Sequence, residues 1–147
     1  MSKKVLFVCM ANVGRSQVAR ACFNQLSQYD SDSAGIGVDE AIARRNPPNP
    51  GRKMKDLRNQ RSVEYIRKAF GVDISDRERQ QLTPEMVHAA DLVILIVEKD
   101  RWPDYLQEGG KVVFWDIPDA YRQDDDFATD VFRQVQDRVE QLVKEIG

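Results

Sequence analysis

Residues 4–16 read Lys4-Val-Leu-Phe-Val-Cys-Met-Ala-Asn-Val-Gly-Arg-Ser16. Lys4–Cys9 is short, continuous and apolar, the pattern of a strand buried on both faces. Ser16–Tyr29 reads as a helix, because Val18, Cys22, Leu26 and Tyr29 recur at helical spacing with Ala19, Ala21 and Phe23 beside them. A thiol therefore stands at the carboxyl end of the first strand. The loop Met10–Gly14 follows it, and a guanidinium and a hydroxyl open the next helix.

The pattern repeats downstream. Ser31–Gly35 reads as a second strand, and residues 38–60 as irregular at their centre, where Pro47, Pro48, Pro50 and Gly51 cluster. Ser62–Phe70 is a helical run closed by Gly71. Thr83, Pro84 and Glu85 supply an N-cap, a proline at the first helical position and an acid. Asp91–Val97 and Lys111–Trp115 read as two further strands. A last helix begins near Asp124, Asp125 and Asp126, with Phe127, Val131, Val135, Val139, Leu142 and Ile146 as its inner stripe. Strands alternating with helices predict a three-layer α/β fold: a four-stranded parallel sheet with helices on both faces, as a single domain over residues 1–147. Ligands of such folds bind at the carboxyl ends of the strands, where Cys9 falls.

Composition narrows the chemistry. The 147 residues carry 41% hydrophobic and 31% charged residues, ordinary for a water-soluble chain. No apolar run approaches the roughly 20 residues of a membrane span, and MSKK leads into no signal-peptide pattern, so a cytoplasmic address is expected. His88 is the one histidine and reads as structural or surface, which counts against Ser-His-Asp and Cys-His machinery. Two cysteines without Cys/His clustering suggest neither a disulfide framework nor zinc. No Gly-Lys-Ser/Thr follows the first strand, which excludes a nucleotide-binding Walker loop. Net charge is −2, yet residues 44–61 hold seven Lys/Arg against Asp56 alone, a net +6 that leaves −8 elsewhere. Such a segment could steer an anionic partner. It lacks interleaved aromatics, and the chain as a whole is acidic, so nucleic acid is not expected.

The loop itself points to an oxyanion. Backbone N–H groups of Met10, Ala11, Asn12, Val13 and Gly14 are free to converge on an anion at the start of a helix. The Arg15 fork fits a tetrahedral oxyanion. The same cradle favours the thiolate, which is the nucleophilic form. Ser16 is placed to donate a hydrogen bond to the sulfur. Asn12 is suited to pinning the loop through side-chain to backbone bonds, and Gly14 to a left-handed turn.

With Cys9-x5-Arg15-Ser16 at the end of an N-terminal strand, the chain resembles the low-molecular-weight protein tyrosine phosphatases and the arsenate reductases that share their fold. Ser33-Ala34-Gly35, Gly71-Val-Asp-Ile-Ser75 and Asp91-Leu-Val-Ile-Leu extend the resemblance over nearly the whole length; residues 44–60 match least. The resemblance implies a metal-independent cysteine phosphatase, needing no cofactor, that hydrolyses phosphotyrosine or aryl phosphates through a phosphocysteine. It implies a leaving-group acid in a late loop. Trp115-Asp-Ile-Pro-Asp-Ala-Tyr121 is the matching loop, with Asp119 in the acid's place and Asp116 as the alternative. Ala120 stands where the family usually has proline. Tyr121 holds an aromatic position beside the substrate, followed by Arg122 where a second aromatic is common. Trp115 reads as core and Trp102 as an edge cover. The implied partners are a phosphorylated protein or small aryl phosphate, with inorganic phosphate as product; no membrane is implied, and the chain is expected as a monomer or weak homodimer.

Two other readings share Cys9 and Arg15: an arsenate reductase that uses an external small thiol, and a cradle that binds oxyanions without turnover. A phosphocarrier needs neither Arg15 nor Asp119. The thioredoxin-coupled reductases need two further cysteines in mid-chain, and residues 71–100 contain none. Cys22 reads as a buried thiol acting as a small hydrophobe. Many family members carry a protective second cysteine in the loop, where this chain has Gly14.

Overall fold

The computed structural model describes residues 3–44 and 51–146. In chain order the elements are β1 (Lys4–Cys9), α1 (Arg15–Leu26), β2 (Asp30–Gly35), α2 (Val38–Ala43), α3 (Arg61–Phe70), α4 (Pro84–Ala89), β3 (Leu92–Leu95), β4 (Val112–Phe114) and α5 (Asp125–Ile146). The four strands form one parallel sheet in the order β2-β1-β3-β4. Residues 5 to 9 of β1 are all buried, as a strand covered on both faces requires. Val5 and Phe7 face a core built with α1, α3 and α5, and Leu6 and Val8 face the side closed by α4 and Leu106. Among the described residues no helix is long and apolar enough to cross a membrane.

The local signals act as physics demands. Gly71 ends α3 in the left-handed conformation at φ 68°. The Thr83 hydroxyl accepts the Met86 N–H at 3.3 Å, with Pro84 in the first turn of α4. The Asp124 carboxylate accepts the Phe127 N–H at 2.8 Å and caps α5. Trp115 is buried against Phe7, and Trp102 stacks edge-on against Phe114 while donating to the Val97 carbonyl at 2.9 Å.

Several expectations need correction. α1 stops at Leu26, which is half exposed, because Ser27 turns into extended backbone; Tyr29 packs from beyond the helix end. Phe127 is exposed on α5 and its place in the inner stripe belongs to Ala128, with Phe132 also buried. Stepping back from Val139 through Val135 and Val131 at helical pitch reaches Ala128 and passes Phe127 by. Val38–Ala43 forms a short helix within the stretch read as irregular. Pro47, Pro48, Pro50 and Arg45 lie outside the described residues.

Strand order places the site. From β1 the chain moves outward to β2, then returns across β1 to β3 and β4. Connections diverge between the carboxyl ends of β1 and β3, which opens a crevice there. At the end of β1, Cys9 pairs with Gly35 of β2. Gly35 permits a close approach: a Cβ there would lie 2.7 Å from the Asn12 nitrogen and 2.8 Å from the Met10 oxygen. Both are backbone atoms and cannot swing aside. Gly35→Ala is therefore expected to lower unfolding stability by about 1–3 kcal/mol, measured as a reduced urea midpoint at unchanged m-value.

Candidate active site

The loop after β1 is held from behind, carbonyl by carbonyl. The Met10 oxygen accepts the Gly37 N–H at 2.9 Å, and the Gly14 oxygen accepts the Val18 N–H at 3.0 Å. Arg79 Nε donates to the Ala11 oxygen at 3.1 Å, Gln17 Nε2 to the Asn12 oxygen at 3.0 Å, and Ser62 Oγ to the Val13 oxygen at 2.7 Å. A trans peptide points its C=O and the next N–H in opposite directions. The N–H groups of Ala11 to Arg15 are thereby turned away from these donors, into the hollow of the loop. Gly14, the N-cap of α1, adds no side-chain cap, so the helix's first-turn N–H groups contribute to the same hollow.

The left-handed residue of this loop is Asn12, at φ 54°, and not Gly14, at φ −109°. Asn12 tolerates that conformation because its side chain is fully used. Its Nδ2 donates to Ser16 Oγ at 2.7 Å, and its Oδ1 accepts from the Gln80 N–H at 2.9 Å and from Gln17 Nε2 at 3.1 Å. Gly14 lies close to α5 instead: a Cβ there would come 3.1 Å from the Phe132 ring, which would have to give by a few tenths of an ångström.

Cys9 is buried, with Sγ 2.9 Å from Ser16 Oγ. Because Ser16 already accepts from Asn12, its own proton remains to be given to sulfur, and a thiolate can only accept it. Arg15 is 4% exposed, and its fork leaves the loop toward the far strand ends. Nη1 donates to the Ile117 carbonyl at 3.0 Å and lies 3.6 Å from Glu98 Oε1; Nη2 lies 3.4 Å from Asp119 Oδ2. Cys9 is thus paired with Ser16, and Arg15 with Asp119. Asp116 is exposed, and no contact ties it to Arg15. Tyr121 is 70% exposed beside Asp119, with its N–H on Asp119 Oδ1 at 3.0 Å and the Arg122 guanidinium 5.2 Å from its ring centroid.

Glu98 escaped the sequence reading. Its signal was only positional: it follows Val97 beyond the carboxyl end of β3, on the rim of the crevice. Arg79, Gln80 and Ser62 were also missed. Arg79 and Gln80 sit in Asp76-Arg-Glu-Arg-Gln-Gln81, which looks like a solvated surface, yet Arg79 is 2% exposed. Behind the loop, Arg77 joins Gln17 to Asp32 and Ser33. Burial, with neighbouring Arg77 second, pushes the Arg20 guanidinium beside them below its ordinary value. Within the basic segment, Arg44 pairs with Glu40, Arg52 with Asp39 and Lys55 with Asp76. His88 is exposed. Among the described residues no group of three or more His, Cys, Asp or Glu could hold a metal ion.

This geometry has known counterparts. Residues 4–147 match the family of low molecular weight phosphotyrosine protein phosphatases. The chain belongs to that family. A curated relative from Ralstonia solanacearum, described as "Probable low molecular weight protein-tyrosine-phosphatase EpsP", is 33% identical over 97 residues, which are 65% of this chain and 57% of the relative. The match thus spans little more than half of that protein's length. Wzb from Vibrio vulnificus, solved in complex with benzylphosphonate, superposes with a TM-score of 0.74 at 21% identity, over 99% of this chain and 100% of Wzb. A thioredoxin-dependent arsenate reductase from Corynebacterium glutamicum superposes with a TM-score of 0.67 at 25% identity, over 99% of this chain and 62% of the reductase. The phosphatase fold, with its loop after the first strand, is that of this chain.

Cys22 lies in the core among residues of α1 and α5. Burial, with Glu140 second, pushes its thiol up to about 12. A raised acid favours the neutral thiol in the fold, so its contribution is intact below the unfolded value near 8.5 and is lost as pH rises toward 12. Iodoacetamide at neutral pH should leave Cys22 unlabelled in the native protein and label it after urea unfolding, as read by peptide mass.

Proposed function

We propose that this protein is a metal-independent cysteine phosphatase acting on aryl phosphate monoesters, phosphotyrosine among them. The observation that carries the reading is the junction of three groups: a buried thiol on a serine, a buried arginine from the same loop, and Asp119 within 3.4 Å of that arginine. The phosphoryl group would sit in the hollow of Met10–Gly14, its oxygens on loop N–H groups and on Arg15. Cys9 Sγ attacks phosphorus and the ester P–O bond breaks, while Asp119 gives its proton to the departing oxygen. Asp119, now a carboxylate, takes a proton from water as the water oxygen bonds phosphorus. The S–P bond breaks, inorganic phosphate leaves, and Ser16 receives the thiolate with its hydrogen bond.

Asp119 takes the acid's role rather than Asp116, because of these two aspartates it is Asp119 that lies against Arg15. The benzylphosphonate held by the Vibrio Wzb supports an aryl substrate, and exposed Tyr121 offers a ring at the rim. A reducing, cytoplasmic address suits a thiol that must stay unoxidised. With Gly14 in the loop and Cys22 in the core, neither position supplies a resolving thiol, and oxidation of Cys9 would run on to irreversible acids. The two mid-chain cysteines that a thioredoxin-coupled reduction needs are lacking in residues 71–100.

Hydrolysis of p-nitrophenyl phosphate at mildly acidic pH, without added metal, tests the reading. Cys9→Ser is expected to abolish turnover. Asp119→Asn should reduce it by about 10²–10⁴-fold. A folded, reduced wild type that releases nothing would redirect attention to arsenate reduction with small thiols, or to binding alone.

Glu98 gives a second test. Its carboxylate faces the same guanidinium that the phosphate needs, at 3.6 Å and half exposed, so it opposes a dianion through partly screened charge. Glu98→Gln should tighten competitive inhibition by inorganic phosphate several-fold, on the order of the 1 kcal/mol of an exposed pair, with the gain shrinking at high salt.

A further inference from the structure

The loop that carries Asp119 lacks the proline usual at position 120, yet something holds it. Ala120 is buried, 7% exposed, and its carbonyl accepts the Gln123 N–H at 3.0 Å, closing a four-residue turn. Arg122, the third residue of that turn, stands at φ 63°. This is the left-handed position that normally selects glycine or asparagine, so the turn is strained.

The clamp comes from α3. Arg61, its first residue, reaches across the chain with a side chain 23% exposed. Nη2 donates to the Ala120 carbonyl at 3.1 Å, and Nη1 donates to the carbonyls of Gln123 at 2.7 Å and Asp124 at 3.2 Å. The fork therefore grips both ends of the strained turn. Asp125 lies 3.6 Å from Nη1 but is almost fully exposed and adds little. The backbone of Arg61 is itself fixed, its N–H on Asn59 Oδ1 at 2.8 Å. Its neighbour Ser62 holds the Val13 carbonyl of the cradle. One short stretch at the start of α3 thus braces the acid loop with one residue and the thiol loop with the next.

We propose that Arg61 is the positioning residue for Asp119: by holding the carbonyls of 120, 123 and 124 it keeps the acid at the Arg15 fork. The proposal rests on Asp119 serving as the leaving-group acid. Without the clamp, Arg122 relaxes toward negative φ, and Asp119, one residue before the turn, leaves its place. The rest of the cradle does not depend on these bonds. Loss of Arg61 should therefore mimic partial loss of the acid rather than loss of the phosphate site.

The test compares kcat/KM for two substrates, one with a poor phenolic leaving group (phenyl phosphate) and one with a far more acidic phenol (p-nitrophenyl phosphate). A poor leaving group needs the proton more. Arg61→Met is expected to lower kcat/KM about 10-fold or more on phenyl phosphate and much less on p-nitrophenyl phosphate. Inhibition by inorganic phosphate should stay within a factor of about two, well under the tenfold worth of 1.4 kcal/mol. Arg61→Lys, which keeps one donor group, should show the same selectivity at smaller amplitude and carries the test if the methionine variant does not fold. Added to Asp119→Asn, Arg61→Met should cost little further on phenyl phosphate. Equal loss on both substrates, a multiplied loss in the double variant, or weakened phosphate inhibition would each overturn the proposal. If Asp119→Asn alone leaves the leaving-group preference unchanged, the assignment of Asp119 as acid fails instead.

Discussion

The carbonyls of Met10 to Gly14 are each held by a donor behind the loop, and peptide planarity then sends the following N–H groups forward. Everything else at the site depends on that reversal. An unsupported loop would let water satisfy both sides of its peptides, and no ring of donors would be aimed in advance. Here the cost of aligning those dipoles is met during folding, so the N–H groups are set in advance. Gly35 enters the same account, since only a missing side chain lets β2 run close enough for Gly37 to take its place behind Met10.

Arg15 shows the matching constraint on charge. A guanidinium 4% exposed must keep every available partner. It has the Ile117 carbonyl on one nitrogen and carboxylates near both. Those carboxylates lie in the segments that follow β3 and β4, so the first residue of α1 ties the far half of the sheet to the first strand's end. Asp119, half exposed, leans on a buried cation.

Much of this was legible in the residues. β1 was read to its observed ends, since a run of apolar residues closing on a polar loop leaves little freedom. Gly71 and Thr83-Pro84 marked real helix ends because their signals are local and stereochemical. Phe127 and Leu26 were misplaced because hydrophobicity was read without the phase of the helix or the position of its last turn. The thiol, arginine and serine lie within eight residues and could be seen together. Glu98, Ser62, Arg79 and Arg61 could not. Each contributes through contacts tens of residues away, and in sequence each is a charged or polar residue among others. The basic stretch before α3 suggested a steering surface. Those of its arginines and lysines seen in ion pairs lie against acids or carbonyls of the protein itself.

The donors behind the thiol loop come from α1, from the turn after β2, from α3 and from the strap before α4, as late as residue 79. None of these pairings is local except those made with α1. The loop entropy of bringing them together is recovered only when all have docked. The thiol's surroundings are therefore a late product of folding. The thiol has no complete cradle until the strap at residue 79 has docked, and during refolding the recovery of that cradle should keep step with the most non-local, slowest-forming part of the structure.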